Sequence, residues 1–219
     1  MPRPIIFDFD GTIVDSEPMA NQGLAECLSD LGFPTTYDEA VATYIGLRLT
    51  DCIAKAERIH GRKLPEDFAS ICRARVGALI DQHLQPVPGA MTFIRDRVHD
   101  PIAIASSSRV VSIERSLARV GLHNIFDGRI YSAADIERGK PHPDIFLKAA
   151  DGIAVNPRDC IVIEDGVLGV QGAVAAGMTV IGLTAGSHCN PAHGQVLIDA
   201  GAHLIAQSYN EVERHIARL

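Results

Sequence analysis

The chain has 219 residues, a mass of 23.5 kDa and a formal net charge of −7. Its 47% hydrophobic and 21% charged residues exclude a disordered or fibrous chain, and its length predicts one domain or one domain with a modest insertion. Proteins that bind nucleic acid or an anionic membrane usually have clusters of Lys or Arg. This chain is acidic and has no such run. We therefore expect neither nucleic acid nor a membrane as a partner.

The N-terminal segment and the cysteines predict a cytoplasmic protein. Asp8 and Asp10 interrupt the short apolar stretch that a signal peptide would need intact. The five cysteines are scattered and are never spaced as a metal clip or a redox pair, so we interpret them as buried thiols in a reducing compartment. The sequence leaves the oligomeric state open, with a monomer favoured.

Short apolar runs rich in β-branched residues predict buried parallel strands at residues 4–7, 102–105, 161–163 and 180–183. Between the later runs, helical periodicity predicts helices over residues 110–120 and 167–176, ended by Gly121 and Gly177. This alternation predicts an α/β fold with a Rossmann-like parallel sheet core.

Strand signals vanish between residues 16 and 85, where amphipathic helical stripes follow one another. Three apolar faces are predicted, formed by Leu24, Cys27, Leu28 and Leu31, by Cys52, Ile53, Ala56 and Ile59, and by Phe68, Ile71, Cys72, Val76 and Leu79. Links rich in structure-breaking residues lie on either side of this region. We therefore expect an α/β core of residues 1–15 and 86–219, with an α-helical domain of residues 16–85 inserted after the first strand.

Polar side chains collect just past the predicted strands, where an open α/β sheet places its ligand crevice. After the first strand, Asp8 and Asp10 are two residues apart, so an extended backbone would put both carboxylates on one face, about 6.6 Å apart. The two charges repel, and a divalent cation would relieve the repulsion. The alternative is a simple hairpin turn at Asp10 and Gly11 between residues 5–9 and 12–14, and this motif alone does not decide between the two.

The second cluster, Ser106-Ser107-Ser108, lies between a predicted strand and a predicted helix. A hydroxyl group and backbone N–H groups at a helix start can bind phosphate. Ser108 is explained as the N-cap of that helix, which leaves Ser106 as the candidate for an anion contact.

The remaining clusters contain Lys140 and the pair Glu164-Asp165. Neighbouring prolines restrict the backbone at Lys140, which fits a lysine that neutralises a fixed anion, although an isolated loop lysine is more often solvated. Adjacent acids at the end of a buried strand suit oxygen ligation of Mg²⁺, although a surface loop could also carry them. The order of acids, hydroxyl, lysine and acids at successive strand ends favours a phosphate site with a metal.

These motifs resemble the haloacid dehalogenase (HAD) superfamily of phosphatases over nearly the whole chain. The matching motifs are Asp8-Phe9-Asp10-Gly11-Thr12, Ser106, Lys140 and Glu164-Asp165. The helical insertion resembles the small α-helical cap of the family. Residues 139–144 and 163–166 resemble the branch that contains β-phosphoglucomutase and sugar-phosphate or phosphoglycolate phosphatases.

The resemblance implies that Asp8 attacks a small phosphate monoester and forms an aspartyl-phosphate. Asp10 then protonates the leaving oxygen and later acts as the base for water. The cofactor implied is Mg²⁺, held by Asp8, Asp165 and the backbone carbonyl of Asp10, with Glu164 as a ligand or a support. The phosphate-binding residues implied are Thr12, Ser106, Ser107 and Lys140.

The helical cap would select the leaving group, and Gly46 and Arg48 are the candidates there, although Arg48 is equally well explained as a solvated helix-end residue. A phosphatase is favoured over a phosphomutase, because the hinge histidine of the mutase falls near Ala20 and its cap arginine near Leu49. Two further alternatives are a receiver-type signalling domain and a HAD-fold binding module without turnover. The helical insertion argues against the first, and the catalytic positions argue against the second.

Overall fold

The computed structural model describes residues 3–45 and 47–219, which contain one six-stranded parallel sheet. Its strands are β1 (Ile5–Phe7), β2 (Ile102–Ser106), β3 (Ile130–Ser132), β4 (Ile161–Glu164), β5 (Thr179–Leu183) and β6 (Leu204–Ala206). Their order across the sheet is β3-β2-β1-β4-β5-β6, and every neighbouring pair is parallel. The predicted α/β fold class is therefore confirmed.

Both faces of the sheet are buried, as the continuous apolar runs of its central strands require. Ile6 of β1 pairs with Ala103 of β2, and both belong to a large buried apolar cluster on one face. The next residue, Phe7, points to the opposite face. Its ring packs edge-on against Phe93 and Phe126, with centroid separations of 6.1 and 6.0 Å. A strand so enclosed places the residues that follow it at a fixed point of the crevice.

Six α-helices belong to the part of the chain that carries the sheet, among the residues described. They are α5 (Ala90–Arg95), α6 (Val110–Arg119), α7 (Asp144–Gly152), α8 (Val167–Ala175), α9 (His193–Asp199) and α10 (Tyr209–Ile216). Within residues 3–45 and 47–219, no helix is long and apolar enough to cross a bilayer.

The chain divides into two compact units, a sheet unit that runs up to Asp15 and resumes over Gln85–Leu219, and a helical unit of Ser16–Leu84. The helical unit contains α1 (Glu17–Asp30), α2 (Tyr37–Tyr44), α3 (Leu49–His60) and α4 (Phe68–His83). It has its own buried apolar cluster, which includes Leu28 and Phe68.

Three details of the helical unit differ from the sequence analysis. Helix α2 was not predicted, although Thr36 and Glu39 form a complete capping box at its start. Ile59 and Ile71, predicted on buried faces, are 57% and 45% exposed. Gln85, predicted in the insertion, belongs to the sheet unit.

The sheet also corrects two expectations from the sequence. Strands β3 and β6 were not predicted, because each has only three residues and lies at an edge of the sheet. The hairpin alternative for Asp10 and Gly11 is wrong, because β1 is paired on both sides, with β2 and with β4. The Gly11 N–H instead donates to the Val14 carbonyl at 2.7 Å and closes a turn.

Candidate active site

The candidate site lies past the carboxyl ends of β1 and β4, which are neighbours at the centre of the sheet. Strands β2 and β3 are added on one side of β1, and β4, β5 and β6 are then added on its other side. Open α/β sheets bind ligands at such a reversal of strand order. Asp8 directly follows β1, Glu164 is the last residue of β4, and Asp165 follows it. The strand order therefore brings these three carboxylates together.

Lys140 joins two of these carboxylates. Its Nζ lies 2.5 Å from Asp8 Oδ1 and 2.8 Å from Glu164 Oε2. The Lys140 side chain is only 6% exposed, and those of Asp8 and Glu164 are 9% and 3% exposed. The other oxygen of Glu164 accepts the Gly166 N–H at 2.9 Å. Lys140 is thus a buried cation held between two strand ends, and is not a solvated loop lysine.

Burial and mutual repulsion change the protonation equilibria of this cluster. Burial, and then the charge of Glu164, raises the pKa of Asp8 well above its usual value, although Lys140 opposes the change. Burial also raises the pKa of Glu164. Burial alone would lower the pKa of Lys140, but the carboxylates of Asp8 and Glu164 outweigh it and raise that pKa. The site therefore holds more negative charge than one ammonium group balances.

Asp165 is held by donors from two loops. Thr12, which is fully buried, donates its hydroxyl to Asp165 Oδ1 at 3.1 Å, and His188 Nε2 lies 3.0 Å from Asp165 Oδ2. His193 Nε2 lies 2.7 Å from the Asp165 backbone oxygen. Gly11 has a φ of +83°, and a Cβ there would overlap the Asp165 carboxylate, so the approach of this loop needs glycine. The Thr12 hydroxyl, predicted to bind phosphate, is engaged by Asp165.

Asp10 is partly buried, and Ser108 donates its hydroxyl to Asp10 Oδ2 at 2.6 Å. The prediction of Ser108 as a helix N-cap is wrong, because Arg109 occupies that position and no side chain caps α6. The buried Ser106 hydroxyl accepts the Ser108 N–H at 3.0 Å, and Ser107 is exposed. Ser106 therefore shapes the turn that presents Ser108 to Asp10.

The residues present fit a hard divalent cation. Carboxylate oxygens of Asp8, Glu164 and Asp165 lie within 4.8 Å of one another, and all three residues are buried. Such like charges persist side by side when a cation shares them, and carboxylate oxygens are the ligands that Mg²⁺ prefers. Lys140 and the Gly166 N–H hold the two oxygens of Glu164, and Thr12 and His188 hold the two oxygens of Asp165. These contacts fix the orientation of both carboxylates.

The predicted specificity residues belong to the helical unit. Gly46 lies outside the described residues. Arg48 precedes α3, is largely exposed and forms a surface ion pair with Asp51 at 3.2 Å. These contacts agree with a helix-end arginine, and a role of Arg48 in substrate selection stays a prediction.

Four residues near the site were missed by the sequence analysis. His188, Cys189 and His193 come from the segment after β5, and the Tyr209 hydroxyl donates to the Thr12 carbonyl at 2.9 Å. Cys189 is partly exposed, which corrects the expectation that all five thiols are buried. The sequence does indicate this segment, because it follows the predicted strand at residues 180–183, and polar residues past strand ends mark the ligand crevice.

His188, Cys189 and His193 change one another's pKa. Burial opposes protonation of His188, but its hydrogen bond with Asp165 raises its pKa to about 10. Burial would raise the pKa of Cys189, whereas hydrogen bonds with His188 and His193 lower it. The pKa of His193 is raised, chiefly by its hydrogen bond with Cys189.

Comparisons with known proteins identify the family. A family model described as haloacid dehalogenase-like hydrolase matches residues 5–183. The 6-phosphogluconate phosphatase of Escherichia coli (strain K12) is 29% identical over 188 residues, which cover 85% of each chain. The fructose-1-phosphate phosphatase of the same strain is 31% identical over 179 residues, which cover 81% of this chain and 94% of the relative.

A solved structure is similar over the full length. It is a haloacid dehalogenase-like protein of unknown function from Agrobacterium tumefaciens str. C58, with a TM-score of 0.88 and 33% identity, and it covers 100% of this chain and 99% of its own. The enzyme class predicted from the sequence, a phosphoric monoester hydrolase, is confirmed by these relatives. The chain belongs to the haloacid dehalogenase-like hydrolases.

Proposed function

We propose that this hydrolase cleaves a small phosphate monoester, of the sugar-phosphate kind, in a Mg²⁺-dependent reaction that passes through an aspartyl-phosphate on Asp8. Two relatives named as phosphatases of 6-phosphogluconate and fructose 1-phosphate support the substrate class. Family membership is evidence against the receiver-type signalling alternative.

The observation that carries the proposal is the position of Lys140 between Asp8 and Glu164. A buried ammonium group 2.5 Å from the Asp8 carboxylate holds that carboxylate in one orientation. The same positive charge can stabilise the charge on a phosphoryl group bound beside Asp8.

In the first step, an Asp8 oxygen attacks phosphorus and the bond between phosphorus and the ester oxygen breaks. The leaving oxygen takes a proton from the Asp10 carboxyl group, which the Ser108 hydroxyl orients at 2.6 Å. The products are an aspartyl-phosphate on Asp8 and the free alcohol.

In the second step, water attacks the phosphorus atom while the Asp10 carboxylate accepts its proton. The bond between phosphorus and the Asp8 oxygen breaks, which releases inorganic phosphate and restores both aspartates. Lys140 balances negative charge in both steps, so catalysis is mainly positioning and charge neutralisation.

Asp8, Asp165 and the backbone carbonyl of Asp10 would hold Mg²⁺, with Glu164 in support. When bound, the cation supplies charge neutralisation at the phosphoryl oxygens. Thr12 and His188 hold the Asp165 carboxylate by its two oxygens, which limits its rotation. We expect chelation to remove activity and added Mg²⁺ to restore it.

The test measures phosphate release from a panel of sugar phosphates and phosphoglycolate, with and without Mg²⁺. We expect Mg²⁺-dependent turnover that Asp8→Asn abolishes and that Asp10→Asn lowers by about 10² to 10⁴, the range for loss of a general acid and base. Asp127→Asn, which changes an exposed loop aspartate, is the matched control and should retain activity.

Rapid quench with labelled substrate tests the intermediate directly. Label on Asp8 during turnover is the expected result, and its absence at every time point would contradict the mechanism. With a hexose 1-phosphate and a bisphosphate primer, isomerisation faster than phosphate release would favour the mutase instead.

A further inference from the structure

The segment after β5 carries a cluster of donors that the proposed reaction does not use as ligands. One nitrogen of His188, one nitrogen of His193 and the Sγ of Cys189 all lie within 4.8 Å of one another. Cys189 Sγ and His188 Nε2 lie 3.4 Å apart. The cluster combines one thiol with two imidazoles, a set of donors unlike the carboxylates of the neighbouring centre.

The ring of His188 packs closely against two glycines. A Cβ at Gly186 would lie 2.7 Å from His188 Cε1, and one at Gly11 would lie 2.9 Å from the same atom. The side chain is 9% exposed, and its Nδ1 is buried with no hydrogen-bond partner among the described residues. The backbone therefore leaves room for the ring where its Nε2 faces Cys189.

A Cys–His–Asp catalytic triad does not explain this cluster. In a triad, the histidine uses one nitrogen for the nucleophile and the other for the acid that orients it. Here Nε2 of His188 lies close to both Cys189 Sγ and Asp165 Oδ2, while Nδ1 has no partner in the part of the chain that the structure describes. Because the same nitrogen faces both the thiol and the acid, the ring cannot pass a proton from one nitrogen to the other as a triad histidine does.

We propose that Cys189, His188 and His193 form a binding site for a thiophilic divalent cation of the Zn²⁺ type. Zinc binds cysteine sulfur at about 2.3 Å and histidine nitrogen at about 2.0–2.1 Å, so tetrahedral geometry separates the two donors by about 3.6 Å. The observed 3.4 Å between Cys189 Sγ and His188 Nε2 is close to that value. Thiolate and imidazole select such a cation, whereas the carboxylate centre suits Mg²⁺.

Occupancy of this site has a consequence for Asp165. The His188 nitrogen that would bind the cation is the one that now contacts Asp165 Oδ2 at 3.0 Å. Ligation would remove that contact and could recruit the carboxylate as a fourth ligand. Zinc would then compete with Mg²⁺ for Asp165 and inhibit phosphate release, a consequence that rests on the proposed function.

The binding test uses Co²⁺ as a spectroscopic substitute for zinc, with excess Mg²⁺ present to fill the carboxylate centre. We expect a cobalt–thiolate charge-transfer band that Zn²⁺ displaces, that Cys189→Ser abolishes and that Gln195→Ala retains. Gln195 is an exposed residue on α9 and serves as the matched control. His193→Ala keeps the thiol and should weaken cobalt binding at least about tenfold.

The absence of the band in the unaltered protein, or its persistence in Cys189→Ser, would overturn the proposal. Circular dichroism of each variant separates loss of binding from loss of folding.

The activity test measures inhibition of phosphate release by Zn²⁺ at fixed excess Mg²⁺. We expect Cys189→Ser to need at least about tenfold more Zn²⁺ than the Gln195→Ala control for half inhibition, since it lacks the thiolate ligand. Equal sensitivity would overturn the predicted competition for Asp165. If no ester is hydrolysed at all, the proposed function fails, whereas the cobalt spectrum still tests the metal site.

Discussion

Hydrogen-bond donors hold the carboxylates of the candidate site. Lys140 binds Asp8 and Glu164, Thr12 and His188 bind Asp165, and Ser108 binds Asp10. Buried carboxylates without such donors would be costly, since burial penalises their charged form. These donors therefore control where each carboxylate points.

The hydrogen bond from Ser108 to Asp10 is expected to affect the rate of the reaction. Hydrogen bonds to charged groups contribute about 1.5–3 kcal/mol, and about 1.4 kcal/mol corresponds to a tenfold change in rate. We expect Ser108→Ala to lower kcat by about tenfold or more, because Asp10 loses the donor that orients it. Steady-state kinetics provide the measurement, with Ser112→Ala at an exposed site of α6 as the control. Equal kcat values in the two variants would contradict an orienting role.

Helices of the sheet unit support the site through close contacts. A Cβ added to Gly169 of α8 would overlap the carboxylate of Glu164. The first residue of α10, Tyr209, donates its hydroxyl to the carbonyl of Thr12 at 2.9 Å. Both helices thus support the site through their packing.

Gly169→Ala tests the contact made by α8. Alanine favours the helix by about 1 kcal/mol, but overpacking costs about 1–3 kcal/mol and moves Glu164 from Lys140. We expect phosphate release to fall at least about tenfold, with little gain or some loss in stability. Gln171→Ala, at an exposed position of the same helix, controls for helix propensity. Full activity in Gly169→Ala would show that Glu164 can move without harm.

Tyr209→Phe tests the contact made by α10. The variant leaves the Thr12 carbonyl without its donor, so we expect the free energy of unfolding at pH 7 to fall by about 1–2 kcal/mol. Denaturant unfolding measures this change. Tyr37→Phe, at an exposed tyrosine, should have little effect.

Tyr209 should also make the free energy of unfolding depend on pH. Burial, followed by the charges of Asp165 and Asp8, raises the pKa of Tyr209 above its ordinary value of 10.0. Above pH 10 the unfolded tyrosine loses its proton while the folded one keeps it, so the free energy of unfolding falls as the pH rises. Phenylalanine lacks this contribution, and the stability difference between the two proteins should shrink above pH 10. A constant difference across that range would contradict the assignment.

The chain consists of two compact units, and each has its own buried apolar cluster. The Asp15 N–H donates to the Gln85 carbonyl at 2.9 Å, so the chain leaves and re-enters the sheet unit at nearly the same point. An insertion joined in this way can be replaced by a short linker without stretching the sheet unit.

Replacement of residues 16–84 by a short Gly-Ser linker tests whether the helical unit selects the leaving group. We expect the sheet unit to fold and to hydrolyse a small aryl phosphate, while the ratio of kcat/KM between different sugar phosphates approaches one. The full chain assayed on the same panel is the control. An unchanged ratio would place substrate selection in the sheet unit.

Much of the sheet could be predicted from the sequence, for a physical reason. The central strands are buried on both faces, so each must be a continuous apolar run, and the runs at β1, β2, β4 and β5 are visible without a structure. The edge strands β3 and β6 have three residues each, and their pairing depends on neighbours that the local sequence does not reveal.

The sequence alone also determined which acids, hydroxyl groups and lysine could share a site, because parallel strands bring their carboxyl ends to one edge. Only the tertiary structure decided which of them touch. Ser108 reaches Asp10 across 98 positions and Thr12 reaches Asp165 across 153. Such contacts depend on strand order and side-chain direction, which no local pattern encodes. His188, Cys189 and His193 are close in the sequence, but the contacts of the two histidines with Asp165 emerged only in the folded chain.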